Sequence, residues 1–247
     1  MLYVQATCQL ILSSQELSLG VQEFRSSDVC FRCKQLINLF TRQLKEPTHQ
    51  LAKHSTRQLV NLLTRQLNNI MQEFENKLSK DLHQYLIAMG KVDERMPECP
   101  DVEEKWEPIA QSYLADGIRE FADYPTVSLG WMMYIGMAVA KYWDSEWEIY
   151  SKIEDLYAYI RDKRGYDCLD EYVREEVLQL KDEAFVNMEK LVGECASRIH
   201  HALLKQQFEP GTKEAFHGYV ACLHQLYLMG MAMQLNVMGY HMTKMDV

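Results

Sequence analysis

No stretch of this chain reads as a β-strand: nowhere in its 247 residues does a run of alternating apolar and polar residues stand between turn residues. With 47% hydrophobic residues to bury, the chain must form its core from helices, which predicts an all-α bundle. Common catalytic signatures are also missing. There is no glycine-rich phosphate loop, no His-Glu-x-x-His pair and no Gly-x-Ser-x-Gly elbow, so the usual marks of nucleotide, zinc-protease and α/β-hydrolase chemistry are lacking. The start, Met1-Leu2-Tyr3-Val4-Gln5, has no basic stretch, and no secretory signal is expected. The cysteines (8, 30, 33, 99, 168, 195 and 222) are odd in number and scattered. That pattern fits free thiols in a reducing compartment, so a cytoplasmic location is expected.

Charge is uneven. Residues 1–70 carry 8 Lys+Arg against 4 Asp+Glu, while residues 71–247 carry 18 against 31, a net charge of −13. An acidic surface repels phosphate backbones, so nucleic-acid binding is not expected. Two stretches, 124–140 and 215–243, contain no Asp, Glu, Lys or Arg. The second includes His217, His224, Gln225, Gln234, Asn236 and His241, polar groups whose density is costly in hydrocarbon. A buried central helix is expected there, and no membrane span.

The first 70 residues are built differently from the rest. Cys-Lys-Gln-Leu at 33 returns as Thr-Arg-Gln-Leu at 41, Thr-His-Gln-Leu at 48 and Thr-Arg-Gln-Leu at 56 and 64. Steps of about eight residues overshoot two helical turns by roughly 80°, so each Leu walks around the helix surface. The unit is also too short to stack as a solenoid. Residues 1–70 are therefore read as a low-complexity tail, a translated upstream DNA repeat with Met71 as the expected true start. The Cys30-Phe31-Arg32-Cys33 pair lies within this tail and lacks the second ligand pair of a zinc site.

From Met71 onward helix periods and stop signals agree, giving five or six helices over residues 71–247. Leu78, Leu82, Tyr85, Leu86 and Met89 form a stripe that ends at Gly90. After a two-proline loop a second helix is expected over 102–122, stopped by Tyr124-Pro125. Thr126 or Ser128 is expected to cap the next helix, whose Gly130, Gly136, Ala138 and Ala140 leave room for a close neighbour. Ser145-Glu146-Trp147-Glu148 fits a capping box, so either one long helix continues there or a new one starts. Arg161-Asp162-Lys163-Arg164-Gly165 reads as a helix end. The longest helix is expected over 169–207, on an apolar face of Val173, Val177, Leu180, Ala184, Met188, Leu191, Cys195, Ile199 and Ala202. Glu209-Pro210-Gly211-Thr212 turns into a last helix over 213–242.

Candidate site residues come from the last helix and from an aromatic cluster. His217, His224, Tyr227, Gln234 and His241 fall within an arc of about 120°, a polar but uncharged seam expected to be buried and hydrogen-bonded. Trp143, Trp147 and Tyr150 stand at i, i+4 and i+7, a single helix face suited to core packing or a dimer contact. Glu214-x-x-His217 has di-iron spacing but occurs once where such sites need it twice, so no metal is expected. No cofactor is assigned. The expected function is non-catalytic protein–protein interaction, as a homodimer or with another protein partner. The alternative is an enzyme or small-ligand-binding protein using His217, His224, Tyr227, Trp143 and Trp147, with its site between the helix of 214–243 and that of 131–150.

Overall fold

A computed structural model describes residues 49–241, with side chains at Arg65 and over 69–241. The Cys30–Cys33 pair lies outside the described residues, as do the repeat side chains other than Arg65. Contacts divide the chain between residues 60 and 61. Apart from the start of the first helix, everything that follows concerns the second unit.

The described residues contain no strand. Six helices reach nine residues or more: α1 (His49–Ala88), α3 (Trp106–Asp123), α4 (Pro125–Tyr150), α5 (Leu156–Arg164), α7 (Asp182–Lys205) and α8 (Lys213–Val237). Two single turns, α2 (Pro100–Glu103) and α6 (Leu169–Tyr172), complete the all-α fold. No described helix is long and apolar enough to cross a membrane.

Among the described side chains of α1, the first buried one is Met71. Arg65, Asn69 and Ile70 are exposed, whereas Met71, Phe74, Leu78, Leu82 and Leu86 are buried at steps of three and four residues, one helix face. Met89, expected on that face, is exposed because the helix has already ended and Gly90 turns the chain at φ +63°. This face packs on α7, where the Arg198 guanidinium lies 4.0 Å from the Tyr85 ring. It also reaches the turn before α8, where Phe74 meets Phe208 edge to face at 6.0 Å.

The centre of the bundle is the crossing of α4 and α8, both uncharged through their middles and buried almost all round. A Cβ built on Gly136 would collide with the Tyr227 carbonyl, and one on Gly230 with the Met133 carbonyl. The two backbones therefore touch at reciprocal glycines, as the small residues had suggested. Gly130 performs the same service toward α7, where an added Cβ would lie 3.2 Å from Val192 Cγ1.

Several boundaries depart from the sequence-based expectation. The helix expected over 102–122 is interrupted between Glu103 and Trp106. Tyr124 occupies the N-cap position of α4 and Pro125 its first turn, where a missing N–H costs nothing. Ser128 is thus no cap; it lies within the helix, fully buried. The capping box at 145–148 does mark a break: Glu146 has φ −145° and ψ 53°, and α4 kinks there. The fold-back brings Tyr142 and Tyr150 into a parallel stack 4.0 Å apart, though eight residues of straight helix would separate them by roughly 12 Å. It also destroys the single face proposed for Trp143, Trp147 and Tyr150. The helix expected over 169–207 is three pieces, α6, a π turn (Val173–Val177) and α7, with a bend at 178–181. α5 ends at Arg164 as expected, with Gly165 at φ +83°. α8 starts on a Thr212 cap but stops at Val237, and Gly239 takes φ +89°.

Candidate functional site

Four of the five sequence-derived candidates converge on a segment that carried no signal in the sequence, residues 101–106. The Tyr227 hydroxyl donates to the Val102 carbonyl at 2.7 Å, fully buried. The Tyr227 ring also packs on Trp106 at 5.5 Å, and His224, one turn earlier on α8, lies 4.7 Å from the same indole and 30° from parallel with it. From α4, Trp143 donates its indole N–H to Asp101 at 3.0 Å, and Trp147 lies under the Lys105 ammonium at 5.7 Å. Lys105 in turn donates to the Ser151 carbonyl at 2.6 Å, fixing the chain just past the α4 kink. His217 is not brought to this group. Its ring neighbour is Phe216, and it sits two turns before His224 along α8.

The local sequence explains the segment's rigidity. Pro100 starts a turn it cannot interrupt, and the Glu103 carboxylate, four residues on, reaches back to accept the Cys99 N–H at 3.2 Å. A short, internally stapled turn thus fills the angle between α4 and α8 beside their glycine crossing. The crossing itself has its backbones in contact, so the convergence of Trp143, Trp147, His224 and Tyr227 occurs to one side of it.

The seam of α8 is only partly the buried network expected. Tyr227 is buried and paired, and Gln234 is buried. His217 and His224 are half-buried, and neither ring has a hydrogen-bond partner among the described residues. Burial lowers the pKa of both, that of His224 to about 4, so His224 is a neutral imidazole at pH 7. Stacking on the Trp106 face therefore replaces the hydrogen bonds expected of it. His241 lies beyond α8, exposed, with Nδ1 2.9 Å from an Asp93 carboxylate oxygen.

A second polar cluster escaped the sequence analysis because it draws its residues from four helices. The Tyr113 hydroxyl donates to the Ser128 carbonyl, and the Ser128 hydroxyl donates to the Gly117 carbonyl at 2.8 Å and meets the Tyr219 hydroxyl at 2.7 Å. Nearby on α3, Asp116 accepts from Tyr157 at 2.6 Å and from Arg161 at 3.2 Å. Burial works against the Asp116 charge, but those two donors outweigh it and hold the carboxyl below its usual range. The available signal was Ser128 itself, a small hydroxyl inside an uncharged, largely apolar run.

These groups are arranged to hold structure more than to move protons. Burial pushes the thiols of Cys99, Cys195 and Cys222 upward, Cys195 to about 12, so none is a thiolate near neutral pH. Burial likewise raises Tyr113, Tyr219 and Tyr227. Among the described residues no group of three His, Cys, Asp or Glu side chains could hold a metal ion. Comparison with known protein families, with curated proteins and with solved structures finds no match to this chain.

Proposed function

We propose that this all-α protein acts through protein–protein contact, as a homodimer formed by one end of its bundle. The carrying observation is an exposed apolar surface where α3, α7 and α8 meet. Phe121 of α3 packs on His200 of α7 at 5.9 Å and on Tyr219 of α8 at 4.6 Å. Within one turn of those three residues lie Ile118, Tyr124, Leu204 and Phe216, and Tyr124 and Leu204 are 61% and 59% exposed. Apolar groups clustered in this way at a surface mark interaction sites.

A second copy of the chain suits the surface because its two halves differ in charge. The α3 side carries Glu120 and Asp123 against one cation, Arg119, and is net acidic, whereas the α7 side carries Lys205 and His201. A two-fold axis sets each acidic edge against a basic one, the arrangement an isologous interface requires. The four described cysteines are free, which supports the expected cytoplasmic setting, and the −13 charge of residues 71–247 disfavours nucleic acid as partner. Light scattering on the full chain at micromolar concentrations tests the proposal. The expected mass is twice 29.0 kDa, reduced to the monomer by Leu204→Glu. A monomer at every concentration overturns it.

The alternative, a small-ligand site, rests on His224, a neutral imidazole stacked on Trp106 without a hydrogen-bond partner among the described residues. A native mass spectrum showing a co-purified small molecule, lost in Trp106→Ala, supports that alternative.

A further inference from the structure

Residues 173–202 keep an unbroken helical period of apolar side chains, yet the helix breaks in the middle of them. The break has no glycine or proline to announce it. The chain leaves a π turn at Val177, bends through Gln179 at φ +53°, runs extended at Lys181 and enters α7 at Asp182 with φ +50°. Two non-glycine residues in the left-handed region within four positions are costly, and such strain persists only where surrounding contacts enforce it. Those contacts are few. From Asp182 to Lys190 no side chain of α7 is fully buried; burial starts at Leu191 and Val192, where the helix packs on Gly130 of α4.

Arg174 ties this half-helix to the body. Arg174, on the π turn, has a side chain only 4% exposed. It donates to the Asp170 carboxylate at 2.6 Å and across to Glu189 of α7 at 3.1 Å. The Phe185 ring of α7 lies 3.9 Å from its guanidinium, and the Tyr134 ring of α4 lies 5.6 Å from it on the core side. Arg174 is thus pinned between the body and the first turns of α7. Beneath it, the Tyr134 hydroxyl is buried with no hydrogen-bond partner among the described residues, a state that opening to water relieves.

We propose that the Asp182–Lys190 half of α7 is a hinged arm. Its hinge is the strained bend at 178–182, its latch is Arg174 with Glu189 and Phe185, and the unsatisfied Tyr134 hydroxyl biases it toward opening. Opening uncovers the Arg174 guanidinium and, behind it, Tyr134, while α7 from Leu191 onward stays in place. This differs from the dimer surface, which lies at the other end of α7.

Hydrogen–deuterium exchange on the full chain tests the arm, with two variants chosen to act in opposite directions. In the wild type, amides of 184–190 are expected to exchange at least roughly tenfold faster than those of 192–204, because sub-global opening needs less free energy than unfolding. Arg174→Met, which removes the latch charge and keeps bulk, is expected to widen that gap. Tyr134→Phe removes the unpaired hydroxyl and is expected to slow exchange at 184–190 several-fold while leaving 192–204 unchanged. Equal rates across α7 in the wild type overturn the proposal. So does a Tyr134→Phe variant whose 184–190 amides exchange as fast as the wild type's or faster, and this arm of the test does not depend on Arg174→Met folding.

Discussion

The α4–α8 crossing and the Arg174 junction are both buried meetings of helices, held by opposite means. At the crossing, glycines let backbone touch backbone and no charge is present. At the junction, a charged side chain spans the gap between a π turn and the first turns of a helix, none of whose side chains is fully buried before Leu191. Close apolar packing forfeits contacts along its whole length when disturbed, so it is stiff. A single charged bridge stabilises one point and leaves the rest of the element free to part. The same bundle therefore has a rigid centre and a separable edge.

The largest expected effect comes from filling the crossing. Gly230→Leu places a side chain against the Met133 carbonyl and is expected to lower stability by roughly 3 kcal/mol, the upper range for overpacking. Thermal or urea unfolding measures it. A melting temperature equal to that of the wild type would remove the claim that the crossing is closed.

A smaller loss is expected from Arg174→Ala. It leaves Asp170 and Glu189 without their partner, and because Glu189 is largely exposed the expected cost is about 2 kcal/mol, below that of a fully buried pair. Arg174→Met should cost less than Arg174→Ala, since it keeps the packing against Phe185. If Ala and Met variants are equally stable, the aliphatic stem contributes nothing and only the charge matters.

The third effect depends on pH and separates the centre from its flank. His224 binds its proton at about 4 in the folded state, against about 6.5 in an unfolded chain. Between those values the unfolded state holds more protons, so stability is complete above about 6.5 and falls as the pH drops toward 4. The expected loss is roughly 2 kcal/mol, after discounting for the partial exposure of the ring. His217, lowered by burial as well, adds in the same direction. Urea midpoints at pH 7 and pH 4.5 for the wild type and His224→Leu measure the difference, and the variant should lose much of the slope. An unchanged slope in His224→Leu would show that the Trp106 stack does not set the protonation of His224.

The two regions were also unequally legible in the sequence. Gly130, Gly136 and Gly230 stood in uncharged runs, and small residues there have few purposes other than close approach. The Ser145–Glu148 pattern coincided with the kink at Glu146, although the Ser145 hydroxyl donates to the Lys141 carbonyl instead of capping a new helix, and Gly165 and the 209–212 turn marked helix ends. The break at 178–181 was invisible. Apolar periodicity reports which residues face inward, and Val173, Val177, Leu191, Cys195 and Ile199 do so whether or not the helix connecting them is continuous. Tyr227 was recognisable as a buried seam residue. The role of residues 101–106 was not, because so short a segment gains its importance from contacts to Trp143, Trp147, His224 and Tyr227, which are more than 35 residues away in sequence. The absence of hydrogen bonds to His224 has the same origin, since an indole face offered by another helix leaves no trace in local sequence.

The contrast between rigid centre and separable edge is tested most directly by the denaturant dependence of amide exchange in the full chain. Amides of 131–139 and 223–233 should exchange only through global unfolding, with a slope against denaturant equal to that of the whole protein. Those of 184–190 should show a much smaller slope, the mark of an opening that exposes little surface. One common slope for all three segments would contradict the account.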